Sequence, residues 1–261
     1  MQDRAVEEPL SRGNVNLVVR LGETVRREQT PQSLTIHALL KHLEAKVFPS
    51  PRFLGVDEQD REVLSYIEGE TGFPKDFWND SKLLVTCAQL LRTLHVSLGD
   101  FVVPDNGRWA YEYPDTSRHE VINHNDFAPY NLIFGDEGSV SVIDFDLCGP
   151  GPRSRDLAYL AYWMAPLSFA DGDLAERSEA ELKLGCPRFS LLCDSYGFRD
   201  RGEVLKMVSE VLHHMSDDVA VTKMVGEKAA ARLKADGHFE HWSKEAMAFD
   251  RVLPVLISKI A

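Results

Sequence analysis

Residues 15–21, rich in Val and Leu, and residues 24–28 make two extended runs about a Gly22-Glu23 turn and predict a pair of strands. The pattern then changes. Leu34, Leu39, Leu40 and Leu43 recur at helical spacing over 34–47, after which 52–56 and 62–67 read as a second hairpin. Beyond Glu68-Gly69-Glu70-Thr71-Gly72 the pattern is helical, over 81–98 with Asp80 as its candidate cap, then over 156–165, 188–196, 203–215 and 241–260. An α+β fold follows, with a small β-rich N-terminal lobe holding one helix over 1–68 and a larger, mostly helical lobe over 69–261. The boundary falls near 65–72.

One stretch of the second half breaks the helical pattern. Residues 124–131 read His-Asn-Asp-Phe-Ala-Pro-Tyr-Asn; Leu132, Ile133 and Phe134 follow, then a turn over 135–138 and a return run over 140–143 that ends in Asp144-Phe145-Asp146. If 132–134 and 140–143 pair as a hairpin, Asp144 comes back beside Asn131 and two hard oxygen ligands face one cation, as Mg²⁺ prefers. Turn and cap roles account for any one of these residues. The ordered set, with the hairpin between its members, points instead to phosphoryl transfer, which needs a base for the attacking hydroxyl and metal ligands for the phosphates.

The run Asn125-Asp126-Phe127-Ala128-Pro129-Tyr130-Asn131, then Ile143-Asp144-Phe145-Asp146, Gly149-Pro150-Gly151-Pro152-Arg153 and Asp156-Leu157-Ala158, resembles the aminoglycoside phosphotransferase family, a branch of the protein-kinase-like fold that includes other small-molecule kinases. The similarity spans most of the chain and is sharp from about 119 to 166. It implies a two-lobed kinase-like enzyme that uses Mg²⁺ and ATP. Asp126 would be the catalytic base and His124 a support of its loop, with Asn131 and Asp144 as metal ligands and the adenine read by the backbone around Tyr66, Ile67 and Glu68. Asp156 is either an anchor of the catalytic loop or a plain helix-starting carboxylate.

The N-terminal lobe departs from this pattern. Kinases hold the α- and β-phosphates with a strand Lys paired to a helix Glu, but the matching strand here is Thr24-Val25-Arg26-Arg27-Glu28. Alternation lets only one of the two arginines face the cleft, and Arg26 is the expected phosphate contact, with Arg27 the alternate. The helix offers no Glu before Glu44, and His37 is given no role. Ser11-Arg12-Gly13-Asn14 is a weak substitute for a Gly-rich loop. These gaps favour a competing reading, a pseudokinase that binds nucleotide without efficient turnover.

Composition narrows the partners. A formal charge of −12 argues against nucleic acid, which demands clustered Lys and Arg, and leaves room for a cationic small-molecule acceptor. The acidic N-terminus is unlike a secretory signal, no apolar run reaches membrane-spanning length, and Cys87, Cys148, Cys186 and Cys193 form no Cys-x-x-Cys pair. A reducing, cytoplasmic setting is expected. The histidines at 213, 214, 238 and 241 match no zinc spacing and read as exposed helix residues.

Overall fold

The computed structural model describes residues 7–10, 18–74, 77, 81–170 and 179–260, with the side chains of 179–184 left aside. Its N-terminal lobe is an antiparallel sheet in the order β1-β2-β3-β5-β4, made of β1 (Glu8–Pro9), β2 (Val19–Leu21), β3 (Thr24–Glu28), β4 (Phe53–Val56) and β5 (Arg61–Ser65). The lobe's helix, α1 (Ser33–Ala45), buries Ile36, Leu39, Leu40 and Leu43, one stripe at three- and four-residue spacing. The start of the predicted first strand, the 11–14 turn and Asp80 lie outside the described residues.

The crossing to the second lobe is tight. After β5, β6 (Glu70–Thr71) joins β8 (Leu132–Phe134), which pairs on its other edge with β9 (Val140–Val142). Gly69 sits at φ +143°, and a Cβ there would stand 2.6 Å from Ile133 Cγ2 and 2.7 Å from the Phe134 carbonyl oxygen, so glycine is required where the chain passes over the hairpin. Two further strands, β7 (Val121–Asn123) and β10 (Gly149–Gly151), pair antiparallel on either side of that hairpin in sequence.

Helices enclose this small β core: α2 (Ser81–Ser97), α3 (Arg153–Met164), α4 (Glu179–Tyr196), α5 (Arg201–Ser216), α6 (Asp218–Val225), α7 (Glu227–Ala235) and α8 (His238–Ile260). α3 is buried along most of its length, α2 packs on α4, and α5 lies along α8, which turns Trp242, Phe249, Val252, Leu256 and Ile260 inward. The sequence reading missed α6 and α7, which bury only Val221, Met224, Ala229 and Ala230 and so carry a faint stripe. The sequence pattern also starts α4 at 188, whereas the helix runs from Glu179 with Pro187 inside it.

All four cysteines are free thiols. Among the described residues no helix is long and apolar enough to cross a membrane, and no group of three or more His, Cys, Asp and Glu is disposed around a metal position. The histidines expected to be exposed divide: His213 is exposed and pairs with Asp250 at 2.8 Å, whereas His214 is half-buried against Tyr111 and His238 against Trp242.

Candidate active site

β7 delivers the chain into a loop whose backbone is fixed by one buried carboxylate. Asp156, in the first turn of α3, accepts from the His124 amide at 2.7 Å, the Asn125 amide at 2.8 Å and His95 Nε2 at 3.0 Å. His95 Nδ1 in turn meets the Tyr196 hydroxyl at 2.7 Å. The loop bends at Asn125, φ +64°, a conformation Asn tolerates better than most residues. Its side chain is held on both ends, donating to the Leu147 carbonyl at 2.8 Å and accepting from Arg155 Nε at 2.9 Å. Asp156 is therefore a loop anchor rather than a bare helix-starting carboxylate.

Burial alone would raise the Asp156 pKa, but the His95 hydrogen bond and charge, with the amide donors, hold it below the ordinary carboxylate value. A depressed carboxylate contributes stability above its unfolded pKa, near 4, and loses it as pH falls further. Asp156→Ala leaves two amides and the Nε2 of His95 unpartnered, so at neutral pH it is expected to cost roughly 3 kcal/mol or more. The gap to wild type should narrow below about pH 4. Denaturant unfolding of both proteins across that range checks this; a gap that ignores pH contradicts it.

His124 is wholly buried. Its Nε2 faces the Ile143 carbonyl at 3.0 Å and its Nδ1 accepts from the Asp126 amide at 3.3 Å, which assigns the proton to Nε2 and leaves a neutral ring. Burial favours the same state by lowering its pKa. The imidazole thus ties the backbone of the Asp126 loop to the end of the hairpin that carries Asp144.

That hairpin brings the two candidate metal ligands together. Leu132 opposes Val142, Phe134 opposes Val140, and the Ile143 amide donates to the Asn131 carbonyl at 3.0 Å, so Asn131 and Asp144 leave neighbouring strands next to one another. Asn131 Nδ2 donates to the Asp126 carbonyl at 3.0 Å and to Asp126 Oδ2 at 2.8 Å. With the nitrogen committed to two acceptors, the Asn131 side-chain oxygen is left to serve as a ligand. Asp144 adopts φ +64° and its side chain stays half exposed. One carboxylate and one amide oxygen are fewer than a closed protein cage supplies. They suit Mg²⁺, which keeps waters and takes substrate phosphate oxygens as its other ligands.

Asp126 is pushed up to about 7, first by burial and then by the negative charge of Asp144, against hydrogen bonds from Tyr130 and Asn131 that pull it down. A carboxylate poised near neutrality suits a general base. Tyr130, whose hydroxyl donates to Asp126 Oδ1 at 2.5 Å, was not anticipated.

The upper lobe corrects the arginine assignment. Arg27, not Arg26, faces the cleft: its Nη2 lies 2.6 Å and its Nη1 3.1 Å from the two oxygens of Asp146, Nη1 is also 3.3 Å from Asp144, and Nε binds Glu62. Arg26 points to the other face of β3, with Nε 3.5 Å from Asp57. The physical cause is register. Arg27 lies directly opposite Glu62 on β5 while Arg26 opposes Val63, so the carboxylate pair fixes which arginine turns inward.

Glu62 is 2 % exposed and receives His37 Nε2 from α1 at 2.6 Å. Burial would raise its pKa, but the His37 hydrogen bond and the Arg27 charge hold it low, while Asp146, Glu62 and Asp144 raise that of Arg27 against its own burial. His37, stacked on Phe53 at 3.7 Å, thus takes part in the network after all. The guanidinium's carboxylate partner comes from a neighbouring strand, with the helix contributing a histidine behind it.

Tyr66, Ile67 and Glu68 lie between β5 and β6, on the segment that leads from the N-terminal sheet to the hairpin. The Tyr66 amide, however, is taken by the Glu23 carbonyl at 2.9 Å, and Arg20 covers its ring at 3.7 Å. The candidate adenine-reading amides of this segment are therefore those of Ile67 and Glu68.

A β-rich upper lobe, a helical lower lobe and a hairpin presenting Asn131 and Asp144 beside Asp126 define the protein-kinase-like fold of the small-molecule kinases. Residues 106–184, which include His124, Asp126, Asn131, Asp144 and Asp156, match the phosphotransferase enzyme family, and together with the relative that follows this places the chain in that family. It is 32 % identical over 225 residues to the trifolitoxin immunity protein of Rhizobium leguminosarum bv. trifolii, covering 82 % of this chain and 85 % of that one. Among solved structures it superposes on an amicoumacin kinase complexed with AMP-PNP and Ca²⁺ (TM-score 0.64, 10 % identity, 97 % of this chain and 92 % of the other). It also superposes on choline kinase from Cryptosporidium parvum Iowa II (TM-score 0.58, 12 % identity, 100 % and 94 %). At these identities the superpositions speak for the fold alone. The family match gives no support to the reading as a binding module without turnover.

Proposed function

We propose that this protein transfers the γ-phosphate of Mg²⁺-ATP to a hydroxyl of a small molecule, with amine-bearing alcohols and amino sugars as the leading acceptor class. The observation that carries this reading is the three-way convergence of Asp126, Asn131 and Asp144, on a loop and hairpin tied together by hydrogen bonds of His124 and Asp156. Asp126 would receive the acceptor's proton while orienting its oxygen for attack. Asn131 and Asp144 would hold the divalent cation, which neutralises phosphate charge when bound. Ile67 and Glu68 would read the adenine edge.

Arg27 takes the place of the phosphate-holding lysine in this account. Its guanidinium is held in place by Glu62 through Nε, and both terminal nitrogens donate to Asp146, so phosphate oxygens would share or displace the Asp146 contact. Arg27→Ala is expected to weaken ATP binding by roughly 1.5–3 kcal/mol, the range of a charge-assisted hydrogen bond, and Arg26→Ala to leave it nearly unchanged. Isothermal calorimetry on the two variants tests the assignment; equal affinities mean that the phosphates are held from elsewhere.

Similarity to an immunity protein supports a narrower reading, in which the acceptor is a toxic compound inactivated by phosphorylation. Expression in a sensitive host challenged with hydroxyl-bearing antibiotics tests it. Protection by the wild type but not by Asp126→Asn is the expected outcome, and equal killing of both strains across the panel counts against it.

A further inference from the structure

Two donors meet the carboxylate of Asp126 from opposite sides. Asn131 Nδ2 takes Oδ2, and the Tyr130 hydroxyl takes Oδ1 at 2.5 Å. The second donor is a hydroxyl, the same chemical group that an acceptor must present to this base. Tyr130 is delivered by the short turn Pro129–Asn131 that also supplies the metal-ligand asparagine. Its oxygen lies 2.8 Å from the hydroxyl of buried Tyr159 on α3. Since the single Tyr130 proton points at Asp126, Tyr159 must donate to the Tyr130 oxygen, which orders the pair toward the carboxylate. The Tyr130 ring stands edge-on to Trp163 at 5.6 Å, yet the residue remains 39 % exposed. Its tip is pinned while one side of the phenol stays open to solvent.

We propose that Tyr130 is a positioning residue that keeps water off Asp126 until an acceptor hydroxyl displaces it. The inference rests on the phosphotransferase reading above. With ATP bound and no acceptor present, a water donating to Asp126 would be a competing nucleophile. Its oxygen would bond to the γ-phosphorus, the bond from that phosphorus to the β,γ-bridging oxygen would break, ADP would leave and Asp126 would take the proton. The Tyr130 hydroxyl holds the hydrogen-bonding direction on Oδ1 that such a water needs. An acceptor bound by its own contacts outcompetes the phenol, which turns toward its exposed side.

Tyr130→Phe removes the hydroxyl and little else. In Mg²⁺-ATP without acceptor, this variant is expected to release ADP and inorganic phosphate about tenfold faster than wild type, the scale of one lost hydrogen bond. Tyr159→Phe, which unpins Tyr130, should shift the rate in the same direction by less. Adding Asp126→Asn to Tyr130→Phe should abolish the gain. Structural damage alone would slow hydrolysis instead. Hydrolysis by Tyr130→Phe no faster than wild type, with AMP-PNP still bound in calorimetry, overturns the water-excluding role. Failure of the wild type itself to bind AMP-PNP overturns the phosphotransferase reading beneath it.

Discussion

Asp126→Asn is expected to reduce phosphate transfer by at least ~10²-fold while leaving nucleotide affinity near that of wild type, the low end for loss of a positioned base. The replacement keeps the side chain's size and still offers an oxygen to Tyr130 or Asn131, so the loop should hold. What disappears is the proton acceptor. In the proposed mechanism the carboxylate acts on the acceptor and not on the nucleotide, so nucleotide binding has no reason to change. A coupled ADP assay beside calorimetry separates the two effects, and equal turnover in both proteins would contradict the assignment of the base.

Asp144→Ala is expected to bring turnover close to background and to remove the divalent-cation dependence of nucleotide binding. Asp144 is the carboxylate of the proposed metal pair, and Asn131 alone offers a single neutral oxygen. The fold should survive, since the Asp144 side chain is half exposed and Arg27 keeps Asp146 and Glu62 as partners. Mg²⁺-ATP affinity unchanged in calorimetry would sink the assignment.

Much of this site was legible because its parts are local in sequence. His124, Asp126, Asn131 and Asp144 lie within one loop and one hairpin, where a two-residue period and a short turn fix who faces whom. The boundaries of α1, α2 and α5 were legible for a similar reason, each having a continuous apolar stripe. The upper-lobe network was not. Choosing between Arg26 and Arg27 requires knowing that β3 lies beside β5 with Arg27 opposite Glu62, and those residues are separated by a helix and another strand. A lone histidine on a helix carries no sign that it will brace that glutamate, so His37 was passed over. Tyr130 was hidden in a different way. Nothing in an Ala-Pro-Tyr-Asn run says which way the phenol turns, and only packing of α3 beneath the loop aims it at Asp126.

The most direct test of the central claim is phosphate transfer itself. Wild-type protein and Asp126→Asn are incubated with Mg²⁺-ATP and a panel of amino sugars, amino alcohols, neutral sugars and hydroxyl-bearing antibiotics, and each acceptor is examined by ³¹P NMR and mass spectrometry. The expected result is a phosphate monoester on a hydroxyl of one acceptor class, matched by stoichiometric ADP and absent with Asp126→Asn. Phosphate on an amine, or a monoester formed equally by both proteins, would contradict the account.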